Sequence, residues 1–211
     1  MMKINYDLEM QKILENIKKE GGSKPKLLLH SCCAPCCSTV IELLKEYFEI
    51  TIFYYNPNIT ENDEYHKRYE EMIEYIKKRH YDIPVKEGRY NPKEDFFEKI
   101  KGLEDRKEGG ERCYKCYNLR MQETAQKAAE EGYDYFTTAL SISPMKNSAW
   151  INEIGEKLEK EYKIKYLYGD FKKKGRYVES IKISKDYNLY RQDYCGCIFS
   201  KLERENHLKN S

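Results

Sequence analysis

The chain has 211 residues, enough for one domain with a well-filled apolar core, or for a domain with a small appendage. Charged residues make up 35% of it but the formal net charge is only +2, so a polyanion would have to be held by a local patch. The N-terminus is polar, unlike a signal peptide, and no apolar run approaches the ~20 residues that cross a bilayer, so we expect a cytoplasmic protein without a membrane span.

The predicted elements alternate between strands and helices along the chain. Apolar residues at helical spacing predict helices, and short apolar runs bounded by turn residues predict strands. In chain order these elements are a helix over 5–20, a strand over 26–30, a helix to about 48, a strand over 50–55, a helix over 62–79, a strand over 83–86, helices over 92–101 and 113–130, a strand over 133–139, a helix over 147–162, a strand over 164–168, a helix to about 188 and a short terminal helix.

This alternation indicates the fold class. Strands that alternate five times with helices favour a parallel sheet wound on both faces. We therefore predict an α/β fold, a single doubly wound domain with a five-stranded parallel sheet and helical additions at both ends. Residues 1–24 are predicted to form an amphipathic helix packed on the main domain, residues 25–211, whose C-terminal loop carries two cysteines.

The turn after the first predicted strand carries four of the eight cysteines. In α/β proteins ligands usually bind at such turns, and in a reducing compartment metal binding or redox chemistry explains so many thiols better than disulfides do. Because adjacent side chains are expected to diverge, Cys32 and Cys33 are predicted to serve two centres, or one centre and a substrate. Cys36 lies about one helical turn further and can reach either, while a core position is favoured for the neighbouring His30.

Two further cysteine pairs lie far along the chain. Cys113 and Cys116 are three residues apart at the start of a predicted helix, so both thiols point the same way and the helix N-terminus favours their negative charge. Partly buried structural cysteines are the alternative. Cys195 and Cys197 would share one face of an extended loop, where Gly196 removes the side chain that would crowd them.

Asp193 precedes the last pair by two residues and would lie on the same edge of an extended loop. A carboxylate beside thiolates suits iron better than a structural zinc ion, although a surface carboxylate or helix cap is an equal alternative for this residue. The three cysteine segments supply more thiolates than one iron–sulfur cluster needs. Two structural zinc sites are the alternative for the whole set.

Two other segments are candidates for substrate contacts. Lys172, Lys173, Lys174 and Arg176 form a basic loop after the fifth predicted strand, and either hold a phosphate backbone or are a solvated run of charge. Residues 137–144 bring hydroxyl groups to the end of the fourth strand and either line a pocket or form a turn. The sequence has no phosphate loop and no dinucleotide-binding fingerprint, which argues against ATP or NAD as an internal cofactor.

Three motifs in combination resemble the epoxyqueuosine reductases of the QueH type. They are His-Ser-Cys-Cys-Ala-Pro-Cys at 30–36, Cys-x-x-Cys-x-x-Leu-Arg at 113–120 and Tyr-Arg-Gln-Asp-Tyr-Cys-Gly-Cys at 190–197, with shorter similar segments at 56–59, 137–144 and 170–173. The resemblance covers about residues 25–200. It implies a sheet of order 3-2-1-4-5, similar to that of nucleotide-binding HUP domains, with the cysteine turn in place of their pyrophosphate loop. Cys37 departs from the family pattern and is interpreted as a spectator thiol.

The resemblance implies the last step of queuosine synthesis, the reductive removal of the epoxide oxygen from epoxyqueuosine at the wobble position of tRNA. It implies a 4Fe-4S cluster and an adjacent mononuclear iron as cofactors, held by cysteines and an aspartate. The implied partners are tRNA carrying epoxyqueuosine in its anticodon and an external low-potential electron donor. Such chemistry needs two electrons, which a cluster passes singly, and an iron with an open position can act as a Lewis acid on the oxygen.

On this basis the ligands are divided between two centres. The cluster is predicted to be held by Cys33, Cys113, Cys116 and Cys195. The second iron, the catalytic centre, is predicted to be held by Cys32, Asp193 and Cys197, and Cys36 can replace any of the thiols. The basic loop would follow the tRNA backbone while the flipped nucleotide stacks on tyrosine. The alternatives are a tRNA thiolation or thiol-transfer enzyme, which would need ATP, and a zinc-stabilised RNA-binding module.

Overall fold

The structure, a computed structural model, describes residues 4–209. Its strands are β1 (Lys26–His30), β2 (Glu49–Tyr54), β3 (Val85–Glu87), β4 (Tyr135–Thr138) and β5 (Lys165–Tyr166). Its α-helices are α1 (Tyr6–Glu20), α2 (Ala34–Leu44), α3 (Asn62–Lys78), α4 (Glu111–Glu130), α5 (Ser148–Tyr162), α6 (Arg176–Asp186) and α7 (Ile198–Lys209). A π-helical turn at Lys93–Phe97 and a 3-10 turn at Ala139–Ile142 complete the regular structure of the described residues.

The five strands form one parallel sheet in the order β3-β2-β1-β4-β5. The predicted fold class and strand order are therefore confirmed. The chain runs outward from β1 through β2 to β3, then returns to start β4 on the other side of β1, so the strand order reverses between β1 and β4. In open α/β sheets the crevice at this switch point, at the carboxyl ends of the strands, is where ligands bind. The cysteine turn follows β1 at this position.

Both faces of the sheet are covered by helices. Alternate side chains of a strand point to opposite faces, and the central strand shows this in three successive leucines. Leu27 and Leu29 pack in one buried cluster with Val40 of α2, and Leu28 packs in the other with Met121 of α4. Helix α1 contributes Met10 and Leu14 to the first of these clusters. The division of the chain into a helix (1–24) and a main domain (25–211) stays a prediction.

The structure differs from the sequence-based expectations mainly in the length of elements. The helix predicted over 92–101 is only the π-helical turn, in which Glu98 N donates to Lys93 O at 3.0 Å. The fourth strand ends at Thr138 because the hydroxyl of this residue accepts a hydrogen bond from Leu140 N at 3.2 Å and begins the 3-10 turn. Between residues 4 and 209, no helix combines the length and the apolarity needed to cross a membrane.

Candidate metal centre

The turn between β1 and α2 brings three thiols together. The sulfur atoms of Cys32, Cys33 and Cys36 all lie within 4.8 Å of one another, and those of Cys32 and Cys33 are 4.0 Å apart. The expectation that the adjacent pair diverges is therefore wrong. Cys33 has extended backbone and caps a helix that begins at the next residue, so the alternation of a continuous strand does not apply here. The reach of Cys36 back to its neighbours is confirmed.

The spacing of these sulfurs suits a single metal ion. Thiolate sulfurs about 2.3 Å from a tetrahedral ion lie about 3.8 Å from one another. Hydrogen bonds from Cys33 and Cys36 lower the pKa of Cys32, whereas burial raises that of Cys33. The hydrogen bond to Cys32 raises the pKa of Cys36 to about 12. Because metal ligation requires thiolates, binding of a metal here would release protons from these thiols.

The second pair lies on the first two turns of α4, as predicted. Cys113 accepts a hydrogen bond from Gly109 N at 3.2 Å and packs against the same apolar cluster as Cys32 and Cys33. Cys116 is buried in a different cluster, which also contains Cys197. Burial raises the pKa of Cys116 to about 11, and the nearby charge of Cys195 adds to this effect.

The third pair lies in a loop that is bent and not extended. Gly196 has φ +114°, and a Cβ atom there would stand 2.9 Å from Ile59 Cγ1 and 3.3 Å from Arg68 Nη1, so glycine is required for close approach to α3. Because of this bend Cys195 lines an open cleft while Cys197 is buried beside Cys116. The prediction that both thiols lie on one face of the loop is therefore wrong, since the two thiols lie in different environments.

The three segments meet through shared neighbours. Arg120 is influenced electrostatically by Cys116, Cys195 and Cys32, which come from three separate parts of the chain. We call the seven thiols that these segments contribute the cysteine site: Cys32, Cys33, Cys36, Cys113, Cys116, Cys195 and Cys197. Cys37 is not part of it, because its side chain lies in the apolar cluster under α2, where burial raises its pKa to about 12.

A cleft of 840 Å³ opens onto the cysteine site. Cys32, Cys36 and Cys195 lie on its wall, and Asp193 lines it as well. The volume is within the range of about 300–1,000 Å³ that small-molecule sites occupy. The carboxylate of Asp193 is 63% exposed and pairs with Arg204 Nε at 3.3 Å. Asp193 therefore shares the cleft with three of the thiols, although its contact in this structure is with α7.

The loop after β4 forms one wall of the cleft, as one of the two interpretations of residues 137–144 predicts. Ser143 and Pro144 line it, and so does Lys146, which sequence reasoning did not single out. Burial would lower the pKa of the Lys146 ammonium, but electrostatic interactions with Cys195 and Cys32 raise it above its ordinary value. Within residues 4–209 this lysine forms no ion pair with a carboxylate. In the sequence, the only indication of a role for Lys146 is its position two residues after the candidate segment 137–144.

Two buried arginines flank the cysteine site, and neither was predicted to have a role, although Arg120 is the last residue of the 113–120 motif. Arg68 is fully buried on α3, pairs with Glu64 at 2.6 Å and donates from Nη1 to Cys195 O at 3.3 Å. Arg120 is 1% exposed on α4 and donates from Nε to Cys116 O at 3.2 Å. Its Nη1 and Nη2 atoms have no hydrogen-bond partner among the described residues. Unpartnered, buried N–H groups beside thiolates suit a negatively charged metal–thiolate group.

The basic loop, Lys172–Arg176, lies apart from this cleft. Lys172 pairs with Asp170 at 2.6 Å, and Arg176 is buried, pairs with Asp7 of α1 and donates to Phe171 O at 3.0 Å. Lys174 and Arg176 line a separate cavity of 220 Å³. None of the four predicted tRNA contacts is among the described residues that line the larger cleft. Their role toward RNA stays a prediction.

His30 is a core residue, as predicted. Its Nε2 lies 3.1 Å from Tyr55 O and its Nδ1 lies 2.8 Å from Thr138 Oγ1. Because a carbonyl can only accept, Nε2 carries the proton and Nδ1 accepts from the hydroxyl. Burial lowers the pKa of the imidazole to about 3, so it is neutral at physiological pH and fixes the end of β1 beside the cysteine turn.

Most of this chain is similar to proteins of one known family. The family model described as "Epoxyqueuosine reductase QueH" matches residues 27–203. The chain belongs to this family. It is 42% identical over 202 residues to the epoxyqueuosine reductase QueH of Streptococcus pyogenes serotype M1, covering 94% of this chain and 78% of that protein. The resemblance inferred from three motifs is confirmed.

Two further relatives carry the same name. That of Staphylococcus epidermidis is 41% identical over 207 residues, covering 96% of this chain and 87% of that protein. That of Thermotoga maritima is 38% identical over 188 residues, covering 88% of this chain and 95% of that protein. The QueH match runs from β1 into α7 and so includes all eight cysteines and Asp193. The prediction of an oxidoreductase is confirmed, because the family is one of reductases.

Proposed function

We propose that this chain reduces epoxyqueuosine to queuosine at the wobble position of tRNA, the final step of queuosine biosynthesis. The observation that carries the proposal is the meeting of three cysteine segments at the switch point of the sheet, on the wall of a cleft of 840 Å³. Membership of the QueH reductase family supports the same reaction. The electron donor is proposed to be external, because the sequence has no dinucleotide-binding fingerprint.

The proposed cofactors are a 4Fe-4S cluster and an adjacent mononuclear iron. When bound, they would supply electrons one at a time and a Lewis acid for the epoxide oxygen. The buried, unpartnered donors of Arg120 favour a negatively charged group at this place. The cysteine site has seven thiols, which is more than the four that a cluster needs, and this supports a second centre.

The proposed ligands keep the division drawn from the sequence, although the close sulfurs of Cys32, Cys33 and Cys36 also allow these three thiols to share one ion. The cluster would be held by Cys33, Cys113, Cys116 and Cys195. The second iron would be held by Cys32, Asp193 and Cys197. The mutual distances within 4.8 Å in the cysteine turn support Cys36 as a further ligand of either centre. This division is a proposal that metal analysis of single variants can test.

The side chains around the cleft are suited to a nucleotide that leaves its stack. Tyr177 and Tyr194 line the cleft and offer aromatic faces for a base, and the guanidinium of Arg191 lies 5.9 Å from the Tyr177 ring. Removing the epoxide oxygen as water consumes two electrons and two protons and leaves one carbon–carbon double bond. Lys146 would place a fixed positive charge beside the oxygen as negative charge develops on it.

The tRNA backbone is proposed to extend from this cleft to the basic loop. Lys173 and Lys174 are exposed members of that loop, whereas Arg176 is held by Asp7. Exposed lysines that contact phosphates make binding depend strongly on salt. The basic loop would therefore position RNA without reading its sequence.

An anaerobic turnover assay tests the proposed function. The reconstituted protein is incubated with a low-potential reductant and tRNA that contains epoxyqueuosine, the tRNA is digested, and its nucleosides are separated by liquid chromatography with mass detection. We expect loss of epoxyqueuosine and an equal gain of queuosine, which is lighter by one oxygen. A reaction without reductant is the control, and conversion there would contradict a reductive step.

Metal analysis of the same sample distinguishes the alternatives. A cluster protein is brown with broad absorption near about 400 nm and contains iron and sulfide, whereas a zinc protein is colourless. More iron than sulfide would support the second iron. A colourless, zinc-containing protein that binds tRNA without converting it would favour an RNA-binding module. Sulfur transfer to tRNA that requires ATP would favour a thiolation enzyme.

A further inference from the structure

Arg120 is a buried cation whose surroundings supply too few acceptors. It lies four residues after Cys116 on α4, so the two side chains share a face of the helix. Only 1% of the residue is exposed, and of its five N–H donors only that on Nε has an acceptor, the carbonyl of Cys116. Nη1 and Nη2 are buried and have no partner among residues 4–209.

The charges around Arg120 come from sulfur. Burial would lower the pKa of its guanidinium, but electrostatic interactions with the sulfurs of Cys116, Cys195 and Cys32 raise it. Within the described residues it forms no ion pair with a carboxylate. The Cζ atom of Arg120 lies 5.8 Å from the centre of the Tyr117 ring. The electrostatic partners of the guanidinium are thus sulfur atoms.

Other buried arginines beside the cysteine site are different. Arg112 precedes Cys113 on the same helix, donates from Nη1 to Glu104 O at 2.7 Å and pairs from Nη2 with Glu203 at 3.0 Å. Arg68 pairs with Glu64. Arg112 Nε and Arg68 Nη2 also lack a hydrogen-bond partner among the described residues, but both guanidinium groups are paired with a carboxylate, whereas that of Arg120 is not. The unpartnered end of Arg120 indicates that its acceptor is a ligand and not another part of the fold.

We infer that Arg120 is a positioning residue that donates N–H groups to the sulfur atoms of the cluster and raises its reduction potential. The inference rests on the proposed function. One-electron reduction adds negative charge to a cluster, and buried positive charge with hydrogen bonds to sulfur stabilises the reduced form more than the oxidised form.

An EPR-monitored redox titration of the reconstituted protein tests this inference. At the midpoint potential of the wild-type cluster, we expect the reduced-to-oxidised ratio of Arg120→Met to be at least tenfold lower, which for one electron is a shift of about 59 mV to more negative potential. Arg120→Lys keeps the charge but loses the planar fork, and an intermediate potential is expected. Lys115→Met is the matched control: it removes an exposed charge next to Cys116 on the same helix, where solvent screens it.

The outcomes separate this inference from the proposed function. A wild-type protein that takes up no iron and sulfide would contradict the function itself. A cluster in Arg120→Met with full iron and sulfide and the wild-type potential would overturn the role of Arg120, as would an equal shift in Lys115→Met. If Arg120→Met fails to fold by circular dichroism, Arg120→Lys decides: an unchanged potential overturns the inference and a lower one supports it.

Discussion

Two nearly inaccessible arginines use buried positive charge in opposite ways. Arg176, at the end of the basic loop, is 8% exposed and is engaged by Asp7 and by the carbonyl of Phe171. Arg120, beside the cysteine site, is 1% exposed and leaves both Nη atoms without a partner among the described residues. The charge of Arg176 therefore holds α1 against the start of α6. The charge of Arg120 is left for a bound group, which marks the cysteine site as the functional region.

Arg176→Met tests the structural half of this comparison and should have the largest effect. It removes the closest cation from the buried Asp7 carboxylate, which is only 6% exposed but keeps Lys174 at 3.9 Å and a hydrogen bond from Gln11 at 2.7 Å. The expected loss is therefore at the lower end of the about 3–5 kcal/mol of unfolding free energy that breaking a buried pair typically costs. Chemical denaturation measures the loss. The double variant Asp7→Asn, Arg176→Met should recover part of it. A loss under about 1 kcal/mol would mean that the pair is not structural.

Two adjacent cysteines provide a matched test of the boundary of the cysteine site. Cys36→Ala removes a sulfur within 4.8 Å of two others, and we expect bound iron to fall and turnover to drop by about 100-fold. Cys37→Ala removes a thiol that faces the apolar core, so iron and turnover should persist while unfolding free energy falls by about 1 kcal/mol. Equal iron loss in both variants would contradict this boundary.

Lys146→Met tests whether the ammonium group of Lys146 in the cleft serves the substrate. Because it forms no ion pair within the described residues, its loss should leave stability nearly unchanged and lower kcat/KM by about tenfold, or about 1.4 kcal/mol. Lys146→Arg keeps the charge and should retain most of the activity. Steady-state kinetics at constant iron content provides the measurement. A full rate in Lys146→Met would exclude the proposed role in stabilising charge.

Lys173→Ser and Lys174→Ser should have the smallest effects, and they test the tRNA contact predicted for the basic loop. Removing one lysine that binds a phosphate should reduce the slope of log affinity against log salt by about 0.7–0.9 and weaken binding only a few fold at low salt. Lys160→Ser removes an exposed lysine on α5 and is the control. If all three variants have the same salt slope as the wild type, the basic loop does not contact tRNA.

The parts of the fold that sequence reasoning predicted are those that depend on local pattern. Alternating strand and helix periodicity led to the parallel sheet, and Asn62–Lys78 or Ser148–Tyr162 differ from their predicted helices by a single residue at an end. The prediction for the segment after Pro92 was wrong, because its apolar spacing does not distinguish a full helix from the π-helical turn that forms. The chemistry of the cysteine turn was accessible since four thiols in six residues are rarely a core.

The sequence by itself determined the fold class, the three cysteine segments and the family, because each is carried by residues close together in the chain. Only the tertiary structure decided which charges are available to a ligand. Arg176 belongs to a basic run in the sequence, yet Asp7, 169 residues away, holds it in the fold. Arg120 is the last residue of the 113–120 motif, but that motif does not show that burial next to sulfur from three segments leaves its Nη atoms without a partner among the described residues. Burial and pairing are set by distant contacts, so no local pattern reports them.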